Sequence, residues 1–116
     1  MFGYSNLDPK NCEFIAVGTV LDLPAGNRLF VEIDGQPIVV FNIAEEFYAM
    51  ADSCSHDDGP LGDGRLNNHE IICPRHGARF DVRTGEALAL PAVVDIPVYP
   101  VRVRDGQIEI GLPRLD

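Results

Sequence analysis

The sequence predicts an all-β domain, a small sandwich or barrel of antiparallel strands. Apolar and β-branched residues come in short runs, with no window showing a 3.6-residue apolar period and caps. Two Asp-Gly pairs, Asp34-Gly35 and Asp105-Gly106, stand between alternating runs, where a two-residue hairpin turn needs them. Eleven Gly and nine Pro cut the chain into strand-sized pieces.

Taken in order, residues 14–17 are a short apolar run that opens the first strand. Residues 28–33 alternate as Arg-Leu-Phe-Val-Glu-Ile and stop at Asp34-Gly35; residues 38–43 return with β-branched and aromatic side chains. Residues 47–51 follow Glu45-Glu46 as a further strand. The pattern repeats late in the chain, where residues 98–104 read Val-Tyr-Pro-Val-Arg-Val-Arg, Asp105-Gly106 turns, and residues 107–110 return. Residues 53–91 differ, being rich in Gly, Pro, Asp and Arg and holding two of the three Cys and all three His. Loops of this composition on a β scaffold are where chemistry usually sits. At 116 residues, the chain reads as one domain, 1–116, able to bury a core without covalent staples.

Charge and composition exclude several functions. Eighteen acidic against nine basic residues give a net charge of -9, which argues against gripping a nucleic-acid backbone or docking by charge on an anionic membrane. No apolar run approaches the length of a membrane span. Residues 1–10 lack a charged region followed by an apolar stretch, so no secretory signal is expected. Three cysteines make no disulfide framework, and a reducing, cytoplasmic setting is the simplest expectation.

Four residues carry the chemistry: Cys54-Ser55-His56 and, sixteen residues on, Cys73-Pro74-Arg75-His76. Each pair puts a thiolate and an imidazole close together on a loop after a predicted strand, and two such loops converge if their strands are neighbours. A lone Cys is usually a small core residue and a lone His a satisfied one. Two mixed pairs beside Gly and Pro point instead to a metal site. Thiolate plus imidazole suits zinc, copper or an iron–sulfur cluster. Common zinc patterns keep two Cys together and two His together, but mixed pairs can still surround one tetrahedral ion. In a binuclear cluster each loop gives its Cys to one iron and its His to the other. Bonding alone leaves zinc open, while a plant-type cluster is excluded for want of four Cys.

The two boxes, extended to Asp57-Asp58-Gly59-Pro60-Leu61 and to Gly77-Ala78-Arg79-Phe80-Asp81, resemble the cluster-binding loops of Rieske [2Fe–2S] proteins. Thr84-Gly85 and Pro91 are similar to the segment that closes a third loop over the cluster in that family. The resemblance runs over nearly the whole chain, is most specific at the boxes, and favours the small Rieske-type ferredoxins of multicomponent ring-hydroxylating dioxygenases. It implies a Rieske-type all-β fold with a two-loop cluster-binding subdomain within 53–91, and one [2Fe–2S] cluster. Cys54 and Cys73 would bind the inner iron, and His56 and His76 the outer one. Two departures from the respiratory branch stand out. No extra Cys lies in either box to bridge the loops, and Ala78 and Phe80 occupy the places of a Ser and a Tyr whose hydroxyls bond cluster sulfurs. Without those donors the potential is expected at the low end of the Rieske range, roughly -150 mV.

The resemblance implies a one-electron carrier that is not itself an enzyme, taking electrons from a flavoprotein reductase and passing them to a terminal oxygenase. An oxygenase would need a second iron site of two His and a carboxylate, and His69 alone cannot supply it. Docking is expected to be transient and near His56 and His76, with Gly59, Pro60, Leu61, Arg75, Gly77 and Pro91 around them. Two other readings stand beside this one: the small Rieske subunit of a nitrite reductase or another larger redox complex, and a zinc-stabilised binding module. His69 reads as an exposed turn or strand-start residue and Cys12 as packing at the edge of the first strand. Arg79 and Arg83 read as surface partners of Asp57, Asp58 or Asp63.

Overall fold

The computed structural model describes residues 12–53, 60–74, 77–90 and 94–113. Its strands are β1 (Cys12–Thr19), β2 (Arg28–Ile33), β3 (Gln36–Ile43), β4 (Glu46–Ala51), β5 (Arg65–Asn67), β6 (Glu70–Ile72), β7 (Arg79–Asp81), β8 (Ala87–Ala89), β9 (Val98–Tyr99), β10 (Val101–Arg104) and β11 (Gln107–Pro113). A 3-10 turn, Val20–Asp22, follows β1, and no α-helix occurs among the described residues. Accordingly, no helix there is long and apolar enough to cross a membrane.

The strands form three antiparallel sheets: β1-β11-β10, β2-β3-β4-β9 and β5-β6-β7-β8. The second is buried from both sides, and the period-two alternation of its strands decides which side each residue serves. Along β3, Val39 and Phe41 join a core with Ile71 and Phe80 of the third sheet, whereas Ile38 and Val40 join one with Ile108 and Ile110 of the first. Met50 and Ala49 divide in the same way on β4, as do Val98 and Tyr99 on β9. Burial on both faces explains why residues 38–41 of β3 form an unbroken apolar run.

Both Asp-Gly hairpins form, with φ of 52° and 78° at Asp34 and Gly35 and of 54° and 76° at Asp105 and Gly106. The run 98–104 does not form one strand. Pro100 has no N–H to extend a ladder, so β9 pairs with β4 and, just beyond the proline, β10 pairs with β11. Residues 53–91, read as loops, include the whole third sheet. Its strands are three residues each, too short for an alternation to register.

Candidate metal centre

The third sheet places the site. Its register opposes Arg65 to Ile72, Ile72 to Arg79 and Arg79 to Ala89. One end of the sheet therefore carries Gly64, Cys73, Ala78 and Leu90 side by side. Cys73 is 2% exposed and shares an apolar core with Leu61, Ala78 and Phe80. Its N–H donates to the Ala78 carbonyl at 2.7 Å and its carbonyl accepts the Gly77 N–H at 3.1 Å, so the second box is closed at its base.

The first box is closed by a carboxylate. Asp52 Oδ1 accepts the N–H groups of Leu61 at 2.8 Å and Gly62 at 2.6 Å. Gly64, just beyond, lies so close to β6 that a Cβ on it would fall 1.9 Å from the Ile72 carbonyl oxygen. The exit of the first box thus rests on the backbone of the residue before Cys73. Residues near the third loop are tied down too: Gly85 accepts the Ile96 N–H at 2.8 Å, and Asp95 Oδ1 accepts the Ala87 N–H at 2.9 Å.

Of the four expected ligands, Cys73 is described; it is a free cysteine at the closed base of the second box, and its soft sulfur suits an iron–sulfur cluster or zinc. Cys54, His56 and His76 lie outside the described residues, as do Asp57, Asp58, Gly59, Arg75 and Pro91. Ala78 and Phe80 are fully buried beside Cys73 and bring no hydroxyl to this region.

Three expectations about neighbours need correction. Leu61 is fully buried, because its N–H is drawn inward by Asp52 and its side chain completes the Cys73 core; it offers nothing to a docking partner. Among the described residues, Leu90 at this end of the sheet is apolar and 77% exposed. His69 is half-buried rather than exposed. It sits in the β5–β6 turn with its ring edge-on to Tyr48, centroids 5.7 Å apart, and its carbonyl accepts the Val82 N–H. Arg79 pairs with Glu70 and Arg83 with Asp81, partners other than the described Asp63, while Asp57 and Asp58 lie outside the described residues. The Arg83 guanidinium bonds both carboxylate oxygens of Asp81, at 3.0 and 2.8 Å, and this holds the Asp81 carboxyl below the usual carboxylate range. Cys12 is buried at the start of β1, opposite Pro113, in keeping with a packing role.

Sequence reasoning missed Asp52 and Arg28. An Asp before a Gly/Pro-rich loop is a known capper of backbone N–H groups, so Asp52 carried a weak signal. Arg28, whose guanidinium reaches the Gly62 and Gly64 carbonyls across more than thirty residues of chain, carried none.

Residues 13–100 match the family model described as Rieske [2Fe-2S] domain. The chain is 43% identical over 96 residues to the 3-phenylpropionate/cinnamic acid dioxygenase ferredoxin subunit of Escherichia coli (strain K12), covering 81% of this chain and 89% of that protein. Among solved structures, it is similar to the ferredoxin of carbazole 1,9a-dioxygenase from Nocardioides aromaticivorans IC177, with 34% identity, a TM-score of 0.80 and coverage of 87% of this chain and 98% of that one. A chain in the complex of reduced oxygenase and oxidised ferredoxin in carbazole 1,9a-dioxygenase is 30% identical, with a TM-score of 0.81 and coverage of 89% and 97%.

Proposed function

The chain belongs to the Rieske [2Fe–2S] family, and from that premise we propose that it is a one-electron carrier, the ferredoxin component of an aromatic-ring-hydroxylating dioxygenase system. The observation that carries this reading is the match to a dioxygenase ferredoxin subunit over 89% of that protein's length. The whole chain, 1–116, acts as one Rieske domain. Cys54, His56, Cys73 and His76 hold the cluster, with Cys73 supplying its thiolate from a buried position at one end of the third sheet. The bound cluster takes up one electron and releases it, changing the charge of the site by one.

The remaining work of the chain is to hold that group and present it. Asp52 and the Cys73–Ala78 hydrogen bond fix the bases of the two boxes. Buried Leu61, Ala78 and Phe80 keep water from the Cys73 side. The electron donor is a flavoprotein reductase and the acceptor a terminal oxygenase, both docking in turn near His56 and His76; the carrier works in the cytoplasm. In support, a similar ferredoxin forms a complex with the oxygenase of its own system. Leu90 stands exposed at the same end of the sheet as Cys73, offering a small apolar contact that costs little to desolvate and lets a transient partner leave.

Stopped-flow mixing tests this. Protein reduced by such a reductase should be reoxidised by the terminal oxygenase, one electron per chain. Failure to exchange electrons with either partner class, or hydroxylation of an aromatic substrate by the chain alone, would contradict it.

A further inference from the structure

Gly62 is held between two side chains of opposite charge. Its N–H donates to Asp52 Oδ1, and its carbonyl accepts from Arg28 Nη1. The same carboxylate oxygen takes the Leu61 N–H, and the same guanidinium nitrogen donates to the Gly64 carbonyl at 2.6 Å. Neither side chain stands on a loose support. The Asp52 N–H donates to the Pro37 carbonyl at 2.9 Å, and Arg28 lies in β2 with its guanidinium 5.4 Å from the centre of the Phe41 ring. The backbone at Gly62 is pressed onto this platform, since a Cβ there would lie 2.7 Å from Phe30 Cε1 and 3.0 Å from Val39 Cβ. Two charges thus fix residues 61–64, and through the contact of Gly64 with Ile72 they fix the first box relative to Cys73.

We propose that Asp52 and Arg28 are paired positioning residues for the first cluster loop, and that their opposite charges bias the midpoint potential in opposite directions. The proposal rests on the reading of the chain as a Rieske carrier. Asp52 is two residues before Cys54 in the sequence, so the group that closes the loop also puts a negative charge near the cluster-binding end. Reduction adds an electron to the cluster. Removing the nearby negative charge favours the reduced form, and removing the positive charge of Arg28 disfavours it. Both side chains are half-buried, so solvent screens each charge only in part.

The holoprotein and its Asp52→Asn, Asp52→Ala and Arg28→Met variants would be compared by redox titration and by the rate of iron release to a chelator. Asp52→Ala loses both acceptor bonds and should release iron at least about tenfold faster, the scale of one hydrogen bond to a charged group. Asp52→Asn keeps a carbonyl oxygen for the same two N–H groups and should release iron at nearly the native rate while its midpoint potential rises. Arg28→Met should lower the potential. Shifts of the same sign in Asp52→Asn and Arg28→Met would overturn the proposal, because a merely structural loss has no reason to follow charge. Native iron release from a folded Asp52→Ala variant would overturn it as well. If Asp52→Ala does not fold, the opposite signs in the other two variants decide. Native protein that binds no [2Fe–2S] cluster would instead contradict the carrier reading itself.

Discussion

Gly85 sits where the β7–β8 turn meets the segment leading to β9, and replacing it by Ala tests how tightly this part of the cluster-binding region is built. Its φ is 79°, its N–H donates to the Asp81 carbonyl at 2.7 Å, and its own carbonyl accepts the Ile96 N–H at 2.8 Å. A Cβ would fall 1.8 Å from the Ile96 carbonyl oxygen and 3.2 Å from Val98 Cγ1. Gly35 is an internal control, with a φ of 78° but nothing within 4 Å of its Cβ position. For Gly35→Ala, the left-handed conformation costs about 1–2 kcal/mol, partly offset by about 0.4–1 kcal/mol from a less flexible unfolded chain. The net is about 1 kcal/mol of destabilisation. Gly85→Ala carries the same term and also loses the bond to Ile96, about 1 kcal/mol. It must in addition displace the buried Ile96, at about 1–3 kcal/mol for an overpacked site. The total is about 3–5 kcal/mol, a large share of the stability of a domain this size. At about 4 °C per kcal/mol, melting should fall by about 4 °C in Gly35→Ala and by 12 °C or more in Gly85→Ala. Circular dichroism and cluster absorbance, followed at one heating rate, read both losses, since unfolding with cofactor release is irreversible. A Gly85→Ala variant melting within about 2 °C of Gly35→Ala would refute the close-approach argument.

Three further outcomes are expected. Ala78→Ser, placing a hydroxyl beside Cys73, should move the midpoint potential upward within the Rieske range of roughly -150 to +300 mV; redox titration showing no shift would mean that the hydroxyl reaches no cluster sulfur. Leu90→Glu should preserve the visible spectrum yet slow electron transfer with reductase and oxygenase alike, while Leu61→Glu should fail to fold, because it buries an unpaired charge in a fully enclosed site; unchanged rates in Leu90→Glu would place docking elsewhere. Asp81 has a folded pKa lowered by its bonds to Arg83, so its contribution to stability is present above the unfolded value of about 3.9 and is lost as pH falls through the folded one. Thermal melts of native protein and Arg83→Ala should therefore differ near neutral pH and draw together as the pH falls below the unfolded value; a gap that stays constant or widens with acidification would contradict the linkage.

The larger strands were legible because alternation and turn chemistry agree. Residues 28–33 needed no adjustment, since Asp34-Gly35 supplies the turn that their pattern leads into. The β3–β4 turn was harder to read. Ala44 and Glu45 both take positive φ, 53° and 71°, without Gly or Asn at either place, and the Asn42 side chain supports them by accepting the Glu45 N–H at 2.9 Å. That compensation comes from a neighbour and leaves no local turn signature. The Rieske boxes were legible as motifs because the Cys/His spacing is local. Their supports were not, because Asp52 acts across nine residues and Arg28 across thirty-four and thirty-six. Leu61 shows the same limit from the other side. A Leu in a Gly/Pro-rich loop reads as surface, and only the fold reveals that Asp52 turns it into the core.

The central claim is that Cys54, His56, Cys73 and His76 hold one [2Fe–2S] cluster that carries a single electron. Iron and acid-labile sulfide analysis of the purified chain, joined to electron paramagnetic resonance of the reduced form, tests it most directly. The account predicts two iron and two sulfide per chain and a Rieske-type signal, expected for His-bound iron in a [2Fe–2S] centre, with each of the four replaced by Ala losing that signal and Cys12→Ala and His69→Ala keeping it. A colourless, folded protein with stoichiometric zinc, or an intact signal after any of the four replacements, would contradict it.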